Sequence, residues 1–267
     1  MLQHNFETEL VDVNIETHNL CTRKCAYCKF GEDRPWEKKW MSDETIDKIL
    51  QDLEEVKFSG LLAWHNNNEP LMDKRIVSII EKSHKTLPDA KIYMFTNGEL
   101  LDEDLAAKLF TAGMGRIYWS IHEAAHHAKA ERLHDIFGED RIHLEPEYLV
   151  DKEKNFFNRG GNLTSGNLRQ AKIVDSGCDL PFGAAIVNPD GDVILCCSDF
   201  YYDVKFDNVM DKSLVDIFYN NPELNRIRKV LSSHSRKGLA LCESCTHYGI
   251  KVYPKFEQKP FAPPKQG

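Results

Sequence analysis

Three cysteines share one short segment near the start of the chain, Cys21-Thr-Arg-Lys-Cys25-Ala-Tyr-Cys28, and no other cysteine follows until Cys178. Thiolates at C-x3-C-x2-C spacing are metal ligands by type, and three are one short of the four that a structural zinc site takes. On a [4Fe–4S] cluster, three thiolates leave one iron open to a further ligand. Three structural cysteines, or part of a zinc site, form the alternative reading. The remaining five are Cys178, Cys196, Cys197, Cys242 and Cys245. Two separated thiol groups ending in Cys242-x2-Cys245 suit a four-thiolate zinc site as well as a second cluster. Other residues with chemical capacity are the run Asn67-Asn68-Glu69-Pro70, the turn Thr96-Asn97-Gly98, Ser120, His122, and Arg159 in Asn158-Arg159-Gly160-Gly161-Asn162. A guanidinium offers several fixed donors to a polar substrate group.

These residues need a frame. Val11–Glu16 (VDVNIE) alternates as a strand does, and the first cysteine segment follows it directly. Ser42 opens a helix with acidic residues in its first turn. LLAWH after Gly60 reads as a buried strand, 73–86 as a helix and 91–98 as a strand ending in a turn. Residues 101–113 read as a helix closed by Gly113, 116–121 as a strand, 123–136 as a helix and 141–145 as a strand. This alternation predicts an α/β fold with a parallel sheet or barrel. The cysteine segment, the Glu69 loop, the Asn97 turn and the segment after Ser120 then fall at the carboxyl ends of strands, where such folds carry their chemistry. Beyond about residue 165 the pattern changes. A β-hairpin about Asp190-Gly191 spans 184–197, a helix spans about 213–231, and Cys242 and Cys245 close the set.

The C-x3-C-x2-C spacing, with an aromatic residue before the third cysteine, resembles the radical S-adenosylmethionine (SAM) superfamily. The resemblance implies a partial (β/α) TIM-type barrel with Cys21, Cys25 and Cys28 holding a [4Fe–4S] cluster. SAM would chelate the open iron and be cleaved reductively to a 5′-deoxyadenosyl radical. It places Tyr27 near the adenine. Asn67-Asn68-Glu69-Pro70 looks like the family's Gly-Gly-Glu-Pro contact to the SAM amino group, with both glycines replaced; Asn tolerates a left-handed backbone better than most residues. Thr96, Asn97 and Ser120 look like the ribose and carboxylate contacts.

The C-terminal set resembles the twitch domain, the shortened SPASM domain. It implies an auxiliary [4Fe–4S] cluster on Cys178, Cys196, Cys242 and Cys245. The likeness to the amino-alcohol dehydrogenases of that subgroup runs over nearly the whole chain, including Arg-Gly-Gly, which implies that Arg159 approaches the substrate. Cys197 is a spare thiol: a displaced ligand, an inert buried cysteine or a hydrogen-atom donor. The expected division is 1–165 for the barrel, 166–250 for the auxiliary-cluster domain and 251–267, rich in Pro and Lys, for a mobile tail.

The expected activity is hydrogen abstraction from a small polar, sugar- or aminocyclitol-like substrate with two-electron oxidation. The resemblance also implies an electron donor such as flavodoxin or ferredoxin. Epimerisation with Cys197 as donor, peptide modification, and a zinc-binding module without activity are the alternatives. A first strand by about residue 11 leaves no recognition domain before it, which favours a small substrate over a peptide. Net charge is −8, from 34 Lys and Arg against 42 Asp and Glu, and there is no long basic run, so no nucleic-acid partner is expected. The N-terminal MLQHNFETELVDV is polar and acidic, and no segment approaches the length of a membrane span. A reducing, cytoplasmic setting is expected, in which eight cysteines serve metals and not disulfides.

Overall fold

The computed structural model describes residues 4–25, 28, 37–145, 157–163, 176–250 and 253–261. One sheet organises them, in the order β5-β4-β3-β2-β1-β6-β7-β8. The strands are β1 (Asp12–Ile15), β2 (Leu61–Ala63), β3 (Lys91–Thr96), β4 (Arg116–Ser120), β5 (Ile142–Glu145), β6 (Ala184–Val187), β7 (Asp192–Ile194) and β8 (Lys205–Asn208). β1 to β5 pair in parallel in chain order, and β6 pairs in parallel with the free side of β1. β7 and β8 then turn antiparallel. The sheet is the partial barrel expected, but the second cysteine region is not a separate layer. Its first strand continues the barrel sheet.

Helices α1 (Asp43–Glu55), α2 (Ile76–Thr86), α3 (Glu103–Ala112) and α4 (His127–Phe137) fill the crossovers that parallel pairing requires. Their starts and stops follow local chemistry. Ser42 accepts from the Thr45 N–H at α1, Asp102 accepts from the Leu105 N–H at α3, and Gly113 ends α3 at φ 112°. The apolar faces of these helices and the outward face of the strands form one core, with Ile15, Leu62, Trp64, Met94 and Trp119 fully buried.

α5 (Leu180–Gly183), α6 (Leu214–Asn220), α7 (Pro222–Ser232) and α8 (Ala240–Glu243) belong to the second region. The single helix expected over 213–231 is two. Asn221 ends α6 in an extended conformation and caps α7 through the Leu224 N–H, with Pro222 at the first position of α7. Proline carries no N–H, so it opens a helix more readily than it continues one.

The expected mobile tail is packed over Tyr253–Phe261. The Gln258 side chain accepts from the Ile92 N–H and donates to the Gly113 carbonyl. Arg141 donates to the carbonyls of Lys259 and Pro260, and Phe261 packs with Phe110 and Phe137. Composition suggested a solvated tail, but two aromatic rings and one amide give it a seat on the barrel. Among the described residues no helix is long and apolar enough to cross a membrane.

The turn after β3 is tightly packed against the frame. Gly98 has φ +69°, and a Cβ there would lie 1.9 Å from Cε2 of the buried Trp119. Gly98→Ala adds left-handed strain to overpacking, so a loss of about 3 kcal/mol is expected in denaturant unfolding.

Candidate functional site: two thiol pockets on a shared wall

Every carboxyl-end loop that the sequence singled out opens into one cavity of about 440 Å³. The loop after β1 supplies Cys21, Arg23, Cys25 and Cys28; the loop after β2 supplies His65 to Glu69. Thr96 and Asn97 come from the end of β3, Ser120 and His122 from the end of β4. Arg159 arrives from the Arg-Gly-Gly turn, Cys197 and Phe200 from the second region, and Pro254 from the tail. Tyr27 lies outside the described residues.

Glu69 is the keystone of this rim. It is 2% exposed and caps the short turn Pro70–Met72 through the Leu71 N–H. The same carboxylate accepts from the Thr96 hydroxyl at 2.6 Å and the Asn97 N–H at 2.8 Å. Burial pushes its carboxyl up, and these three donors hold it back. Its own N–H donates to the Leu20 carbonyl, which ties the β2 loop to the cysteine loop. Asn97 completes the clamp by donating to the Thr22 hydroxyl at 2.9 Å, while its carbonyl accepts from the Trp119 indole.

Asn67 and Asn68 occupy the expected place without the expected geometry. Among the described residues, positive φ outside glycine occurs at Lys57, Arg159, Tyr202 and His234, and so at neither asparagine. Their amides have other uses. Asn67 donates to the Cys197 carbonyl at 3.2 Å, and Asn68 accepts from the Asn66 N–H. The buried Nδ2 of Asn68 has no hydrogen-bond partner among the described residues.

Charge at the rim is divided. Arg23 pairs with Glu99 at 2.5 Å and Glu123 at 2.6 Å. Burial pushes the Cys21 thiol up to about 12, with Glu69, Cys28 and Cys25 adding to the rise. His122 is pushed down to about 4 by burial and by the Arg23 charge, so its imidazole is neutral.

Cys178, Cys196, Cys242 and Cys245 line a second, smaller pocket with Gly160, Arg236 and His247. Burial raises the thiols of Cys178 and Cys242 to about 12, and that of Cys196 strongly, with neighbouring thiols among the causes. Arg236, 1% exposed, donates to the carbonyls of Ser176, Gly177 and Cys245, which bracket two of the thiols. Nothing in the sequence distinguished it from the other arginines. All eight cysteines are free thiols.

Two pairs of consecutive residues form the wall between the pockets. Arg159 and Cys197 face the first, while Gly160 and Cys196 face the second. The Arg-Gly-Gly turn is left-handed throughout, at φ 49°, 66° and 85°. A Cβ on Gly160 would meet Leu241 Cδ1 at 2.5 Å. The Arg159 guanidinium lies over the rings of Phe157 and Phe200, at 4.4 and 5.7 Å from their centroids.

Residues 15–156 match the radical SAM superfamily model, and residues 178–246 match the SPASM iron–sulfur cluster-binding domain. The chain belongs to the radical SAM superfamily. It is 24% identical over 245 residues to the S-adenosyl-L-methionine-dependent 2-deoxy-scyllo-inosamine dehydrogenase of Niallia circulans, covering 92% of this chain and 96% of that protein. Its fold is similar to that of BtrN in complex with AdoMet and 2-DOIA, with a TM-score of 0.80 at 23% identity, over 96% of this chain and 99% of the other. AdoMet-bound anSMEcpe shares the fold at a TM-score of 0.57 and 14% identity, over 93% of each chain. The chain is therefore a radical SAM enzyme whose cofactors are SAM and iron–sulfur clusters, and the zinc-module alternative is set aside.

The pockets fit these groups. Among the described residues the second is lined by four thiols and no carboxylate, a soft donor set suited to iron–sulfur. In the first, three thiols line one cavity, and the Cys21 thiol that burial pushes up becomes a good ligand once a cationic centre sits beside it. The orphaned Asn68 amide beside the Glu69 carboxylate offers one donor and one acceptor to a zwitterionic ligand.

Proposed function

We propose that this enzyme removes two electrons from a hydroxyl-bearing carbon of a small aminocyclitol-like substrate. In this reading Cys21, Cys25 and Cys28 hold the SAM-binding cluster, and Cys178, Cys196, Cys242 and Cys245 hold the auxiliary cluster. Residues 1–165 and 166–250 carry the two sites. When bound, these groups supply a hydrogen-abstracting radical and a nearby electron acceptor. The chain's residues do the rest. Glu69 takes the SAM ammonium, while Asn67, Asn68, Thr96, Asn97 and Ser120 surround the nucleoside and carboxylate, with Pro70 fixing the turn. Arg159, pinned between two phenyl rings, donates to a substrate oxygen. His122, neutral in the cavity, takes the hydroxyl proton.

One observation carries this reading: the substrate cavity and the four-thiol pocket share a wall one residue thick, at Arg159/Gly160 and at Cys197/Cys196. A substrate in the first pocket is thus next to an electron acceptor in the second. The dehydrogenase relative supports the same assignment. Flavodoxin or ferredoxin is the proposed source of the priming electron, in a cytoplasmic setting.

The test is anaerobic reconstitution with SAM, dithionite and 2-deoxy-scyllo-inosamine. The expected result is 5′-deoxyadenosine together with a product lighter by a pair of hydrogens. Absence of 5′-deoxyadenosine from iron-loaded enzyme would refute the proposal. Epimerisation is the second reading, favoured because Cys197 faces the substrate cavity and not the four-thiol pocket. It predicts a product of unchanged mass, solvent deuterium at the reacting carbon, and loss of turnover in Cys197→Ala.

A further inference from the structure

β1 is the central strand of the sheet, hydrogen-bonded to β2 on one side and β6 on the other. Its outward residues, Val13 and Ile15, are in the main core. The alternate face carries Asp12 and Asn14, and Glu16 continues the same series just past the strand, all at most 6% exposed. Three polar side chains in a row on a buried strand face require partners, since an unpaired buried polar group is costly.

Asp12 and Glu16 have partners. The Tyr93 hydroxyl donates to both oxygens of Asp12, at 3.0 and 3.2 Å. The Tyr202 hydroxyl donates to Glu16 at 3.0 Å, and Asn66 adds a longer bond at 3.3 Å. Asn14, between them, differs. Its Nδ2 is buried without a hydrogen-bond partner among the described residues, and Asn14 lines the substrate cavity. Its register neighbours on the flanking strands are Ala63 and Ile186, neither of which has a polar side chain.

We propose that Asn14 is a substrate-recognition residue: its side-chain N–H, at the floor of the cavity, is kept for an oxygen acceptor on a polyol or amino-polyol ligand. The inference rests on the aminocyclitol reading above and extends it to a specific donor. A hydroxyl oxygen can accept from Asn14, and so can the carbonyl oxygen that replaces it on oxidation, so one donor serves substrate and product. The tyrosines occupy the two flanking carboxylates, which leaves the amide as the donor that β1 offers.

The test compares wild type, Asn14→Asp and Asn14→Leu as reconstituted holoenzymes, with 2-deoxy-scyllo-inosamine as probe. Asn14→Asp removes the donor at constant shape, and a rise of about tenfold or more in KM for the probe is expected. Iron content and the SAM-induced change in the cluster's EPR signal serve as controls for an intact site. Asn14→Leu replaces an unpartnered donor with an apolar group of similar shape, so the melting temperature of the probe-free enzyme is expected to hold or rise. A structural amide would predict the reverse. A fall of more than about 5 °C in Asn14→Leu, or an unchanged KM in Asn14→Asp, overturns the proposal. If wild type makes 5′-deoxyadenosine but leaves the probe untouched, the aminocyclitol reading fails and the melting comparison alone decides the role of Asn14.

Discussion

Cys25→Ala is expected to lower 5′-deoxyadenosine formation by more than about a thousandfold while the chain keeps about half of its iron. The loss is large because the loop offers three thiols, the number that a cluster with one open iron takes. The carboxylate next in line, Glu69, already accepts three hydrogen bonds that hold the rim together. Arg23 anchors the loop to Glu99 and Glu123. The retained iron follows from the separate linings of the pockets: among the described residues, none that lines the second comes from the first cysteine loop. Iron and sulfide analysis beside single-turnover product analysis checks both halves. Complete loss of iron would mean that the two sites assemble together.

Cys242→Ala is expected to give the complementary phenotype. Cleavage of SAM continues, but oxidised product falls by more than about a hundredfold relative to the 5′-deoxyadenosine made. Cys242 lies in α8 and lines the second pocket, whereas Glu69 and Asn97 line the first, so the SAM side keeps its frame. A substrate radical formed next to an emptied four-thiol pocket has no acceptor for its remaining electron, and it returns to substrate or decays. The ratio of the two products is the readout, because it separates loss of the acceptor from general loss of activity. A fall in both by the same factor would overturn the assignment of the second pocket.

Much of this was legible in the residues. The capping signal at Ser42, the closing Gly113, the turn glycine at 98 and the βα alternation mark the elements because each is a local rule, satisfied within a few residues. The two thiol groupings are legible for the same reason: their spacing is written in the chain. Other features depend on contacts that no local rule carries. The joint at Asn221-Pro222 was hidden inside a continuous helical pattern. Asn67 and Asn68 suggested a left-handed turn, but the backbone there is ordinary and the amides make tertiary bonds. Arg236 acquires its role only when Ser176, Gly177 and Cys245 converge on it. The packed segment after Tyr253 looked like linker because Pro and Lys dominate its composition, although Phe256, Gln258 and Phe261 decide its fate. VDVNIE could be read as a strand, but the alternation did not reveal that its polar side lines the interior of a barrel.

The pairing of β6 with β1 bears on how such an enzyme can be taken apart. A chain cut near residue 165 would leave the central strand with one side of its backbone unbonded, in the middle of what had been a continuous sheet. Exposed strand edges recruit other strands, so the N-terminal fragment is expected to aggregate instead of surviving as a minimal SAM-cleaving unit. Grafting the four-thiol segment onto another barrel meets the mirror-image difficulty, since it must bring a matching strand register along with its ligands. For this architecture the auxiliary centre is a structural obligation of the sheet as much as a catalytic accessory.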